Sequence, residues 1–112
     1  MKDALRGLKT VFKSEQNFRI QILVGLMVVI LAVFFPLKIW EIILLILLLV
    51  QVLVMELLNT ALEYFTDLLK PRLHHYVLLI KDVMAAAVLL IALGAAAIGL
   101  IIFLPHFIKL LQ

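Results

Sequence analysis

Residues 41–69 read EIILLILLLVQVLVMELLNTALEYFTDLL, and this stretch decides the fold. Its first half, Ile42 to Met55, carries no charge but is too short by itself to cross a bilayer, which takes about 20 apolar residues. No glycine or proline follows until Pro71, so the residues predict one helix of about 29 residues, Glu41 to Leu69, long enough to cross and to project beyond the hydrocarbon. The last third of that helix carries acids.

Two more apolar stretches flank it. Ile20 to Leu37 is charge-free and ends at Pro36 and Lys38; Val83 to Ile108 is also charge-free, with Pro105 near its end. The expected spans are 19–36, 40–69 and 76–104. The whole chain agrees with them: 112 residues are 67% hydrophobic and 15% charged, with a mean hydropathy of +1.28. A soluble fold could not hide so much apolar surface. Three spans and short connections use up the length, so 1–112 is read as a single all-α membrane domain. Cysteine is absent, which excludes disulfides and thiolate metal sites. Nothing points to a nucleic-acid partner. The basic start, Met1 to Lys13, runs into a full-length span with no small-residue cleavage site, so no removable signal peptide is expected.

Charge asymmetry sets the expected orientation. Of the ten Lys and Arg, those at 2, 6, 9, 13 and 19 precede or open the first span, and those at 70, 72 and 81 lie around the second connection. Only Lys38 and Lys109 fall on the other side, which places the N-terminus and the Pro71 loop in the cytoplasm and Trp40 at the outer interface. Within 1–17, Lys2, Arg6, Lys9 and Lys13 recur at steps of four, three and four, opposite Leu5, Leu8, Val11 and Phe12. That is the pattern of an amphipathic helix lying on an anionic leaflet. It is either a topology anchor or a roof over an active site.

The chemistry concentrates in Glu56 to Asp67. At about 100° per residue with Glu56 at zero, Asn59 falls near −60°, Glu63 near −20°, Asp67 near +20° and Thr60 near +40°. Three carboxylates, an amide and a hydroxyl thus share one stripe. A charge within a span costs about 2.5 kcal/mol or more near the middle, so such acids are read first as functional. Across the short turn, Lys81 and Asp82 follow His74 and His75 and precede Ala85, Ala86 and Ala87. A cation beside a carboxylate stripe suits phosphate; alternatively Lys81 neutralises Glu63 or Asp67, and the alanines permit close packing. Glu15, with Asn17 and Arg19 beside it, adds an acid at the cytoplasmic end of the first span. Two carboxylates from different helices can hold Mg²⁺, which leaves its remaining positions to water and nucleotide phosphates. Such an ion at a membrane surface serves phosphoryl transfer, yet the four glycines (7, 25, 94, 99) are isolated and form no phosphate-binding loop.

The run from Glu56 through Asn59 to Glu63, then Asp67, then Lys81-Asp82-Val-Met-Ala-Ala-Ala-Val, resembles the signature of the bacterial diacylglycerol kinase and undecaprenol kinase family. Phe12-Lys-Ser-Glu15-Gln-Asn-Phe-Arg19 resembles the family's first acidic motif, and Arg6-Gly7-Leu8 its surface-helix segment, so the resemblance covers nearly the whole chain. It implies a homotrimer of three-span subunits with an N-terminal surface helix, in a bacterial plasma membrane, with active sites between subunits at the cytoplasmic face. Carried over by position, Glu56 corresponds to the general base that activates the lipid hydroxyl, and Glu15 and Glu63 to ligands of the Mg²⁺ on ATP. Asn59, Asp67, His74, Lys81 and Asp82 match positions around the nucleotide. Asp3 stands where the family usually has an aromatic, and Gln21 where Gram-positive-type members often carry histidine. The Glu15-to-Arg19 run looks more like the undecaprenol kinase branch, and the lipid stays open between undecaprenol and diacylglycerol.

The rival reading is a small transporter or proton-conducting subunit that uses the intramembrane acids. Proton relays usually line ionisable groups across the bilayer. Here the first and third spans are charge-free inside, and the acids stop at one side.

Overall fold

The computed structural model describes residues 1–112 as four helices: α1 (Lys2–Ser14), α2 (Gln16–Phe34), α3 (Ile39–Leu69) and α4 (His74–Leu111). The last three are long and apolar enough to cross a membrane. They lie roughly along the long axis of a body measuring 60 × 32 × 21 Å. Helix α3 is central: it packs along α4 most extensively and along α2 less so, while α1 leans on α2.

Only 13 of 112 residues are buried, and large apolar side chains such as Leu23, Ile30, Val33, Leu90 and Ile101 face outward. In water such a surface would collapse or aggregate; in lipid it is the solvated face. The interior is correspondingly small. Near the end that holds Trp40, Leu45, Ile102 and Phe103 form a cluster, against which Val28, Leu31 and Phe35 pack. The Phe35 ring meets Phe103 and Phe107 edge to face, with centroids 6.0 and 4.9 Å apart. Such contacts add about 0.5–1.5 kcal/mol each beyond the area they bury.

Local chemistry explains the breaks. Phe35 precedes Pro36, whose ring disfavours a helical conformation in the residue before it, and Phe35 is extended at φ −89°, ψ 148°. Helix α3 restarts where the Glu41 carboxylate accepts the Lys38 backbone N–H at 2.9 Å, satisfying one of the donors that every helix start leaves open. Glu41 is buried, and His106 Nε2 lies 3.9 Å from it.

Two boundaries differ from expectation. Helix α1 ends at Ser14 rather than 17, and α2 begins at Gln16 rather than 19, because Glu15 alone makes the elbow with extended backbone (φ −113°, ψ 111°). Helix α4 does not stop near 104 but continues through Pro105 to Leu111. A proline inside a helix loses one backbone hydrogen bond and kinks the axis. Here Phe103 before it and Phe107 after it both pack on Phe35, which holds the last turns in place.

Helix α2 meets α3 closely at Gly25, where an added Cβ would lie 3.2 Å from Leu49 Cδ2. Gly25→Ala needs only a small shift of that flexible side chain and should cost under about 1 kcal/mol. Gly25→Leu should overpack the crossing and cost about 1–3 kcal/mol. Equilibrium unfolding in mild detergent checks the order of the two; equal stabilities would mean that the helices do not meet there.

Candidate functional site

At the end opposite Trp40, α2, α3 and α4 enclose a cleft of about 440 Å³ lined by Asn17 and Gln21 from α2, Glu56, Asn59 and Glu63 from α3, and Lys81 with Ala85 from α4. Each helix contributes a stripe at its own spacing. On α4 the lining residues 81, 85, 88, 89 and 92 follow the three-and-four rhythm of one helical face, with a lysine at the rim and small or apolar residues below it. On α2, Asn17 and Gln21 are one turn apart.

Glu56 is the deepest carboxylate and is only 5% exposed. Glu15 and Glu63 lie within electrostatic reach of it and carry the same sign. Asn59 Nδ2 donates a long hydrogen bond, 3.4 Å, to Glu63 Oε1. Thr60 Oγ1 donates to the Glu56 carbonyl at 2.9 Å and Thr66 Oγ1 to the Glu63 carbonyl at 3.0 Å. These hydroxyls are consumed by their own helix and leave the carboxylates without a donor from either of them. Glu15 occupies the N-cap position of α2, but its side chain makes no capping bond. It too remains available.

The stripe read from the sequence divides in two. Its negative-angle side, Asn59 and Glu63 with Glu56, faces the cleft. Its positive-angle side turns away: Thr60, with Leu57 and Tyr64, faces α1 across a groove of about 650 Å³. Asp67 stays at the exposed rim, 3.9 Å from both Lys70 Nζ and Lys81 Nζ. At that distance and exposure these pairs contribute little to stability. A stripe about 100° wide is broader than one helix–helix contact, so two neighbours share it.

His74 and Asp82 are exposed at the start of α4 and do not line the cleft; His75 stacks edgewise on Tyr76 at 5.9 Å. Glu15 lies outside the lining, within electrostatic reach of Glu56. Gln21, read from the sequence only as a departure from the family pattern, lines this cleft and also a neighbouring apolar groove. Its signal was the four-residue spacing from Asn17 at the start of an otherwise apolar span.

No three histidines or carboxylates converge as a closed metal site. Glu15 at the elbow and Glu63 on α3, both within electrostatic reach of Glu56, are hard oxygen donors in the number that suits Mg²⁺, an ion that keeps several waters and shares the rest of its shell with phosphates.

Residues 2–103 match the prokaryotic diacylglycerol kinase family. The chain belongs to that family. It is 36% identical over 109 residues to a diacylglycerol kinase of Synechocystis sp., covering 96% of this chain and 62% of the relative. It is 35% identical over 100 residues to an undecaprenol kinase of Bacillus subtilis, covering 89% of this chain and 81% of the relative. The chain thus spans less than two thirds of the Synechocystis protein. The family's two named activities differ in the lipid and share the reaction class.

Burying Glu56 beside two other acids is an electrostatic cost to the fold. Glu56→Gln keeps the shape and removes the charge, and should raise stability by on the order of 1 kcal/mol. Unfolding midpoints of the purified variant and parent in the same detergent measure this; a destabilised Glu56→Gln would mean that the ionised carboxylate holds the helices together.

Proposed function

We propose that this chain is a lipid kinase that moves the γ-phosphoryl group of ATP to the hydroxyl of a membrane lipid alcohol, undecaprenol or diacylglycerol, at the cytoplasmic face of a bacterial plasma membrane. One observation carries the reading. The acidic cleft shares Gln21 and Ala92 with an adjoining apolar groove of about 510 Å³ among α2, α3 and α4, walled by residues such as Val24, Val28, Leu49 and Gly99. A substrate that fits both has a polar head and a hydrocarbon chain.

In this reading the chain's residues divide the work by depth. Glu56 lies seven residues before Glu63 on α3, about 10 Å deeper. A lipid hydroxyl resides at the interface, whereas a nucleotide arrives from water. Glu56 therefore accepts the hydroxyl proton as general base, and the hydroxyl oxygen attacks the γ-phosphorus as the bond to the β-phosphate bridging oxygen breaks. Lys81, on the rim of the same cleft, faces the transferred phosphoryl charge. Glu15 and Glu63 would hold Mg²⁺, which when bound offsets phosphate charge. Asn59 orients Glu63 through its amide. Asp67, His74 and Asp82 line the approach from the aqueous side.

Purified protein in mixed micelles with labelled ATP, offered diacylglycerol and undecaprenol in parallel, tests the activity. Glu56→Gln should abolish transfer, by about a thousandfold or more, while leaving Mg·ATP affinity nearly unchanged; Glu63→Gln should impair both. If Glu56→Gln lost nucleotide affinity as severely as Glu63→Gln, or kept the parent's transfer rate, Glu56 would not be the base.

The same reading expects a homotrimer. A single chain leaves the cleft and the groove open on the lipid side, and three acids cannot rest against hydrocarbon. Light scattering corrected for bound detergent should give a mass of three chains for active protein, and a one-chain mass with full activity would overturn the assembly.

A further inference from the structure

Every helix ends with four carbonyls that its own backbone cannot satisfy, and in α1 these belong to Val11, Phe12, Lys13 and Ser14. The Val11 carbonyl accepts the N–H of Glu15 at 2.8 Å. The next two are taken by one side chain from beyond the elbow: Arg19 Nη1 donates to the Phe12 carbonyl at 2.8 Å and to the Lys13 carbonyl at 2.9 Å. Arg19 sits in the first turn of α2, so the start of one helix grips the end of the one before. Its positive charge also meets the negative end of the α1 dipole, which strengthens both bonds.

Little else holds α1 in place. Val11 is its only buried residue, and its face toward α3 borders an open groove of about 650 Å³ rather than a packed seam. The residue whose backbone forms the bend is Glu15, extended between the two helices with no capping bond of its own. The direction of its carboxylate therefore depends on the angle of the elbow, and Arg19 is the group that ties the two sides of that elbow together.

We infer that Arg19 is a positioning residue: by holding the Phe12 and Lys13 carbonyls it fixes the Glu15 elbow, and with it the placement of the Glu15 carboxylate that Mg·ATP requires. The consequence for Mg·ATP rests on the kinase reading above; the consequence for the elbow does not. A charge that served only topology or attraction to anionic lipid would be replaced fully by lysine. In arginine the rigid guanidinium plane fixes the directions of the two Nη1 hydrogens that reach these carbonyls, whereas lysine carries a point charge on a flexible stem with freely rotating donors.

The chain has no cysteine, so paired nitroxide labels at Lys9→Cys and Leu68→Cys, both exposed, report the α1 to α3 distance cleanly. The full chain is studied in lipid nanodiscs, diluted with unlabelled protein so that only distances within one chain contribute. The parent should give a narrow distribution, Arg19→Gln a broad one and Arg19→Lys an intermediate one. In the micelle assay, Arg19→Gln should raise the KM for Mg·ATP about tenfold with a smaller change in kcat, and Glu15→Gln combined with Arg19→Gln should be no worse than Glu15→Gln alone. Unchanged distances in Arg19→Gln, or an Arg19→Lys variant equal to the parent in both distance and KM, would overturn the inference. So would broadened distances with an unchanged KM. A parent that phosphorylated neither lipid would overturn the kinase reading and the KM consequence with it, while the distances still judged the elbow.

Discussion

Placing a carboxylate inside a helix that is otherwise hydrocarbon is the constraint on which the rest of the structure depends. Glu56 is nearly inaccessible, and the groups closest to it in electrostatic terms, Glu15 and Glu63, carry the same sign. The cleft holds Lys81 as its one cationic side chain, and that lysine is shared with Asp67 at the rim. The site is therefore short of positive charge. Unpaired buried charge is costly, and a site of this kind is balanced by a proton or by a cation from outside the chain. A divalent cation arriving with a polyphosphate is a partner of that kind. The surrounding helices fit the same constraint: small residues on α4 leave volume beside the acids, and amides rather than hydrocarbon line the α2 side.

Much of this was legible in the sequence, and for a physical reason. Spans are visible because lipid demands long charge-free runs, and α3 could be followed past its apolar half because nothing in it breaks a helix. The side-by-side placement of Glu56, Asn59 and Glu63 follows from 3.6 residues per turn. What the sequence did not disclose depends on contacts between distant residues. Thr60 and Asp67 share the stripe by angle, yet α1 lies on one flank and solvent on the other, and periodicity carries no information about neighbours. Pro105 is a stop signal by local rules, overridden by Phe35 packing on both of its sides. The pairing of Glu41 with His106 joins residues 65 positions apart, and the two-carbonyl grip of Arg19 looks from the sequence like one more basic residue.

The acids of the α3 stripe gather at one end, which bears on the choice between catalysis and conduction. The remaining buried acid, Glu41, is at the other end and is spent on the start of α3, where it accepts the Lys38 N–H. Between them α3 presents only Gln51 as a polar side chain, and that residue is exposed. A proton relay needs closely spaced titratable or hydrogen-bonding groups through the bilayer. Here an apolar groove lined by α2, α3 and α4 adjoins the acidic cleft instead. Apolar walls beside a polar cleft suit an amphiphile better than a proton.

The two ends also differ in how the helices are joined. Along α3 and α4 the connection is tight near the turn, where Thr66 and Val77 are fully buried, and tight again at Leu45, Ile102 and Phe103. Helix α2 meets this hairpin at Gly25 and at the aromatic end around Phe35, and buries Phe18 near its start, while α1 hangs from α2 by the elbow. The chain therefore consists of a firm hairpin and an arm. Glu56, Glu63 and Lys81 belong to the hairpin, and Glu15 to the arm. A site divided in this way is completed only when the arm is correctly placed, and any ion held by both Glu15 and Glu63 ties arm to hairpin in turn. On the kinase reading, binding of the metal nucleotide and ordering of the elbow are then one coupled equilibrium, in which each favours the other by the same free energy. On the same reading Glu56 feels the charge of both Glu15 and Glu63, yet its depth is set by the hairpin that carries it, as a base meeting a lipid hydroxyl at a fixed level would require.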